Sequence, residues 1–392
     1  MTKNVRLQDF LSLEFILLFF CSVEFLSKFY SLIILLFLVV WLRGYFKVSS
    51  IASKNFLYIT LFILSYWLFA YKDIPILIVP VWLLSYVIGF CLSDNTNRFF
   101  RMWLLIAFGI ALHSFLIFVT NINKFGVDAM GNRIMQDIWG GGLMRGATAL
   151  ACSFLLGSAM IIPFFLRQKN KFWPIVFSIF ILFGAFFNSV STASRSALIY
   201  PTIIIAVSYF TLIERKNRIK YISLAVLIVC VVVVLYLGNA FGIRSFFEDQ
   251  YLFERISEKE GGGIIENQRL ELWKDFFAHI DKYVLGGGSF GDTGDRDYVH
   301  NIIFDTFAVG GVVPALFLTL LIISFIRVAF RLHKRNEDKS FKTMIIGLMF
   351  GFLLIFMTEP IIQAANWFFS FFLMLVGGLD RINYQQRIGA WE

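Results

Sequence analysis

Hydrophobic positions in this chain fall into long unbroken runs, not into the alternating or short amphipathic stretches of a soluble fold. The runs cover roughly 9–27, 29–42, 56–71, 74–92, 99–120, 143–166, 172–191, 195–213, 219–240, 300–327, 341–358 and 361–379, and most approach the ~20 residues that span a bilayer core. Helices are the structure such runs support, because each backbone amide must be satisfied inside its own segment. The pattern therefore predicts an all-α polytopic membrane protein of about twelve helices, forming a single membrane domain over 1–392. Two polar interruptions are long enough to carry function: a small loop over 121–142 and a large one over 241–299. Within the large loop, Leu270, Trp273, Phe277 and Ile280 recur at helical spacing, which predicts an amphipathic helix on the membrane surface. Glycines at 261–263 and 286–288 punctuate its ends.

Composition agrees. Charged residues make up 16% of the chain and hydrophobic residues 58%, against about 25% charged in a soluble domain. The mean hydropathy is +0.75. The net charge of +9 would fit a nucleic-acid partner if it were clustered on a soluble face, but its distribution says otherwise. With the N-terminus inside, every short inside loop is basic and together these loops hold 22 of the 35 Lys and Arg, as the positive-inside rule requires. The 241–299 segment instead carries a local charge of −5. Both termini are thus expected in the cytoplasm and both long loops outside it. The first 27 residues have a basic start and an apolar stretch with no small-residue cleavage site after it, so they read as a retained first span. Cys21, Cys91, Cys152 and Cys230 all lie within apolar runs and fit neither a disulfide framework nor a metal spacing.

Candidate chemistry gathers at the outer face. Arg195 stands at the outer mouth of a span in a hydroxyl-rich run, Ser189 to Ser196. There it can either snorkel to the headgroups or grip an anion with its fixed, permanently charged fork. Arg269, near the start of the loop helix, is either a solvated or salt-bridged face residue or a second phosphate ligand. His300 begins the apolar run after the large loop and is expected in the first turn of a span, where the helix N-terminus favours a neutral, proton-accepting imidazole. In the small loop, Arg133, Asp137, Trp139 and the nearby Arg145 are candidate glycan ligands, and Trp139 is equally suited to anchoring at the interface. Trp273, Arg296 and Asn301 complete the candidate set. His113, inside a span, His279 and His333 are weaker candidates, and no pair of histidines has metal-ligand spacing.

Three short motifs in order carry a family resemblance: Thr192-Ala-Ser-Arg195-Ser-Ala-Leu, Gln268-Arg269-Leu-Glu-Leu-Trp273, and Val299-His300-Asn301 followed by an apolar span with Gly310-Gly311. In these motifs and in its topology the chain resembles the bacterial O-antigen ligase and O-antigen polymerase superfamily. The resemblance implies a C-type membrane glycosyltransferase of the bacterial inner membrane, working at the periplasmic face on undecaprenyl-diphosphate-linked sugars and needing no metal or other cofactor. Carried over by position, Arg195 and Arg269 would hold the donor diphosphate. His300 would take the proton from, or orient, the acceptor hydroxyl as the anomeric carbon is attacked with inversion.

Ligases of the family often carry an acidic residue directly after the His-Asn pair and a second His two residues before it. Ile302 and Tyr298 occupy those positions here. This favours a polymerase of O-antigen, capsule or exopolysaccharide repeat units over a ligase acting on lipid A core. The partners implied are a lipid-linked donor and acceptor, membrane lipid, and a chain-length regulator or flippase. A reading of another class, a lipid-linked oligosaccharide flippase or transporter, predicts ionisable groups near the midplane and internal repeats, whereas the polar groups of this chain gather at one face.

Overall fold

The computed structural model describes residues 12–44, 53–70, 78–126, 134–140, 144–192, 194, 196–213, 268–287 and 299–388. Through these the chain runs α1 (Leu13–Ser22), α2 (Phe29–Leu42), α3 (Lys54–Ala70), α4 (Ile78–Leu92), α5 (Thr96–Phe125), a hairpin of β1 (Ile134–Gln136) and β2 (Met144–Gly146), α6 (Ala147–Arg167), α7 (Phe172–Thr192), α8 (Ser196–Phe210), α9 (Gln268–Ala278), α10 (Ile302–Gly310), α11 (Val312–Arg335), α12 (Lys339–Phe356), α13 (Ile361–Ala364) and α14 (Asn366–Arg387). Among the described residues, α5, α6, α7, α11 and α12 are long and apolar enough to cross a membrane, and five shorter apolar helices accompany them. This is a multi-pass helical membrane protein.

The apolar runs reappear as helices with three differences. The run 300–327 is broken at Gly311 into α10 and α11, and the run 361–379 is broken into α13 and α14. The small loop contains a two-stranded antiparallel hairpin, pairing Met135 with Arg145, so the fold is mostly rather than wholly helical. The expected span 219–240 lies outside the described residues.

Side chains explain where several helices start. Asn95 accepts from the Arg98 amide at the head of α5, and Asp338 accepts from the Ser340 and Phe341 amides at the head of α12, each filling a donor the helix itself leaves empty. In the core, α4 and α14 approach so closely that a Cβ on Gly89 would overlap the Met374 backbone and one on Gly377 the Tyr86 backbone. Small residues allow that approach where no hydrophobic effect drives helices together. Around this contact Phe62, Trp82 and Phe369 meet edge-to-face or stacked, with centroids 5.0–6.2 Å apart. Elsewhere α7 exposes Ile175, Ile179, Leu182, Phe183 and Phe186 at helical spacing, the apolar face a bilayer would cover.

The bundle has two polar ends. At one, Arg98 bridges Glu14 (3.0 Å) and Asp94 (3.2 Å). There the buried Asp380 carboxylate joins α14 to α3 and α4 by accepting from Ser53 (2.7 Å), Asn55 (2.8 Å) and Tyr86 (2.8 Å). The other end gathers the hairpin, the head of α10 and the segment 357–367. In that segment Met357 meets Asn301, Asn366 meets Tyr30 and Trp367 meets Arg145.

Candidate active site

At the second polar end, His300 sits just outside α10. Asn301 is the cap of that helix, its side-chain oxygen accepting from the Ile303 amide at 3.0 Å and the Phe304 amide at 3.3 Å. The expected place of His300 in the first helical turn is therefore corrected: Asn is among the best N-caps, so the helix begins after it and His300 precedes the cap. Its backbone takes the left-handed conformation, with φ 57°, which costs a residue with a Cβ about 1–2 kcal/mol.

Asp305, fully buried one turn into α10, holds that conformation. Its Oδ1 accepts from the Val299 amide at 2.8 Å and its Oδ2 from the Asn301 amide at 3.0 Å, and the His300 amide also donates to it. Three successive amides thus converge on one carboxylate, an anion nest closed by the chain's own side chain. From the other side, the Trp273 Nε1–H donates to the Val299 carbonyl at 3.0 Å.

Trp273 brings the large loop with it. On α9, Trp273 and the buried Phe276 pack against α10: Trp273 meets Phe304 edge-on at 5.5 Å, and Phe276 stacks on Phe304 at 5.1 Å and meets Phe307 at 5.8 Å. The loop helix is where periodicity placed it, but its packed face is centred on Trp273 and Phe276. Phe277 and Ile280, read from the sequence as part of that face, are exposed. After a 3-10 turn, Ile280–Tyr283, the chain reaches the break between α10 and α11, where the Val312 amide donates to the Val284 carbonyl (3.0 Å) and the Gly287 amide to the Val309 carbonyl (2.9 Å). Gly286, at φ +78°, is needed there, since a Cβ would come within 2.6 Å of the Val309 oxygen. The Gly310-Gly311 pair is thus a dock for the returning loop, two backbones in direct contact.

The arginines are placed less fully. Arg269 is the second residue of α9, one helical turn before Trp273, so its helix is latched to the His300 turn. Arg195, Arg133 and Arg296 lie outside the described residues. The neighbours of Arg195 form a tight junction between α7 and α8. There the Ser194 amide donates to the Ser189 carbonyl (3.1 Å), Ser189 Oγ returns a bond to the Ser194 carbonyl (2.9 Å), and the Ser194 and Ser196 hydroxyls are 2.8 Å apart. The hydroxyls of Ser189, Ser194 and Ser196 thus bond across the junction of α7 and α8.

The hairpin builds a second, internally paired cluster. Asn121 at the end of α5 clamps β1, donating to the Gln136 carbonyl (2.8 Å) and accepting its amide (3.1 Å). Arg145 then bridges Asp137 (2.9 Å) and Glu24 (2.6 Å), while His113 lies 3.3 Å from Asp137 and 3.7 Å from Glu24. Trp139 closes the group, its Nε1–H donating to the Val23 carbonyl at 2.9 Å and its ring stacked on His113 at 6.2 Å. Burial would raise the Asp137 carboxyl, but the hydrogen bonds from His113 and the Trp139 amide and the charge of Arg145 outweigh it and hold it at about 2, below the ordinary 3.8. Among the described residues no three His, Cys, Asp or Glu side chains form a metal site; the Arg145 guanidinium stands between the two carboxylates.

Residues 180–319 match the family model described as O-antigen ligase. Over that segment the chain is similar to the O-antigen ligase family. The matched segment takes in the Arg195 junction, α9 with Arg269, the His300 turn, Asp305 and the Gly310-Gly311 dock, and the match supports the resemblance to the O-antigen polymerase and ligase superfamily, a family of glycosyltransferase-like membrane enzymes. No curated protein matches the chain. The hairpin cluster lies before the matched segment.

Sequence reasoning missed Asp305 and Glu24 and ranked a third member of these constellations, His113, low. Asp305 holds the backbone of the His300 turn, while Glu24 and His113 belong to the hairpin cluster. All three are ionisable residues inside apolar runs, which is itself a signal of function or of tight pairing. The place of His113 inside a span makes it a weak candidate by sequence, and the structure sets two carboxylates beside it, Glu24 and Asp137.

Proposed function

We propose that this protein polymerises undecaprenyl-diphosphate-linked oligosaccharide repeat units at the periplasmic face of the inner membrane, with both termini in the cytoplasm. The observation that carries the reading is that, within the O-antigen ligase segment, the helix bearing Arg269 is latched by Trp273 to the turn bearing His300. In this reading Arg195 and Arg269 bind the diphosphate of the growing chain and stabilise the negative charge that develops on it as it leaves. His300 accepts the proton of the attacking hydroxyl on the incoming lipid-linked repeat. The new bond joins that oxygen to the anomeric carbon with inversion, the bond from the anomeric carbon to the phosphate oxygen breaks, and undecaprenyl diphosphate departs. Ile302 and Tyr298, in place of the acidic residue and second His frequent in ligases, favour a second lipid-linked repeat over lipid A core as acceptor.

The candidate glycan ligands divide under this reading. Arg296 and Arg133 stay candidate glycan ligands by sequence, Asn301 and Trp273 serve the His300 turn, and Asp137, Trp139 and Arg145 hold the outer end of the bundle together.

The test is a gene deletion complemented with wild type or His300→Ala at equal membrane abundance, read on a gel of lipopolysaccharide or capsule. Core bearing a single repeat unit, unrestored by His300→Ala, is the expected outcome. Bare core with polymer accumulating on the lipid carrier would make the protein a ligase, and full rescue by His300→Ala would remove His300 from the chemistry.

A further inference from the structure

The carboxylate of Asp305 has a use that helix stability does not explain. The head of α10 is already capped by Asn301, so Asp305 is not needed to start the helix. Its residue is fully buried, an expensive place for a carboxylate, and among the described residues its partners are the amides of 299–301 rather than a cation. Those amides belong to the turn in which His300 holds φ 57°. A glycine would adopt that conformation without cost, yet the position holds a bulky imidazole. Strain of this kind persists where surrounding bonds over-determine the backbone. Here the bonds come from two sides, from Asp305 on the amides and from Trp273 on the Val299 carbonyl.

We propose that Asp305 is a positioning residue for the transfer reaction, its carboxylate fixing the 299–301 backbone so that the His300 imidazole is held toward the acceptor hydroxyl. The proposal rests on the reading of His300 as the proton acceptor. Asp305 touches no substrate; it acts through the backbone of its neighbour. Asn at this position keeps the shape but places an amide donor against the backbone donors, so one of the three converging hydrogen bonds must break and the left-handed turn loses its anchor. Misplacing a reacting group by about 1 Å can cost on the order of a hundredfold in rate. A released turn that still visits the working geometry should cost less than that.

The experiment uses the full-length protein in lipid nanodiscs, with lipid-diphosphate-linked saccharides extracted from membranes of the deletion strain as probe. Polymer formation is followed per folded molecule, the folded fraction coming from size exclusion and thermal melting. Asp305→Asn is expected to lower kcat about tenfold or more while KM stays within about twofold, the split of an interaction that matters in the transition state and not in binding. Trp273→Phe, which keeps the ring on Phe304 and removes only the bond to Val299, should lower kcat about threefold by the same route. Unchanged kcat in both variants, with His300→Ala inactive, would overturn the positioning role alone. Activity lost by Asp305→Asn only in proportion to folded protein would assign Asp305 to stability and likewise overturn it. Should Asp305→Asn fail to fold, Trp273→Phe decides: a lowered kcat at unchanged KM supports the clamp, and wild-type kcat overturns it. An active His300→Ala would instead overturn the parent reading, whatever Asp305 does.

Discussion

Two His and carboxylate pairs stand at the same polar end of the bundle, joined through the 357–367 segment, and they use the same residue types in opposite ways. In the hairpin cluster His113 lies 3.3 Å from Asp137, and Arg145 and Glu24 complete a group whose charges are answered internally. In the His300 turn the carboxylate of Asp305 is bound to backbone amides instead, and what it fixes is the conformation of the residue that carries the imidazole. A closed network of side chains makes a lock. A carboxylate holding a strained backbone makes a mount. The comparison teaches that proximity of His to an acid is not by itself a catalytic sign, and that what the acid bonds to tells the two apart.

The largest effect that would break or sharpen the contrast comes from opening the lock. Arg145→Ala leaves Glu24 and Asp137 buried without their shared cation, and breaking a buried ion network in this way costs about 3–5 kcal/mol. The variant should melt well below wild type in nanodiscs. Restoring neutrality with Glu24→Gln and Asp137→Asn in the same chain should recover much of the loss, because it is the uncompensated charge that destabilises. Melting of Arg145→Ala at the wild-type temperature would show that the cluster is not a lock.

A smaller effect follows from acid. The Asp137 carboxyl is held at about 2 in the folded protein against an ordinary 3.8. Its folded value is lower, so its contribution is fully present above about pH 4 and is lost as pH falls through about 2. A shift of this size corresponds to on the order of 2 kcal/mol. Thermal melting between pH 5 and pH 2 should therefore fall more steeply for wild type than for Asp137→Asn, which starts lower and loses less. Parallel curves would mean that Asp137 is not the group being protonated.

The helices were legible because apolar run length is a direct consequence of bilayer thickness, and the loop helix because periodicity survives inside a polar segment. The register of its buried face was not. Which of Phe276 and Phe277 faces inward depends on Phe304 and Phe307, partners that only tertiary structure supplies. The break at Gly311 was present in the sequence as a Gly pair, but nothing local says that a returning loop will pair with it. His300 and Arg269 could be singled out as an imidazole and a guanidinium in and beside the long polar segment. Their support could not, since the amides that Asp305 binds are invisible in side-chain chemistry, and the partners of His113 are Glu24, in the turn after α1, and Asp137, in the hairpin. The residues that carry chemistry advertise themselves by type, whereas the residues that hold them are defined by contact.

The smallest effect discriminates most finely. Trp139→Phe keeps a ring against His113 and Phe25 and removes one hydrogen bond, that from Nε1 to the Val23 carbonyl at 2.9 Å. A single such bond is worth about 1 kcal/mol, so a lock predicts a slight fall in melting temperature with polymer length and amount unchanged. A glycan platform predicts the reverse. The ring would still stack on sugar but the lost N–H would raise the half-saturating concentration of lipid-linked repeats, or shift the length distribution, with the melting temperature in place. The second result would move the hairpin cluster from the support of the bundle to the path of the substrate, and the distinction between lock and mount would have to be redrawn around His300 alone.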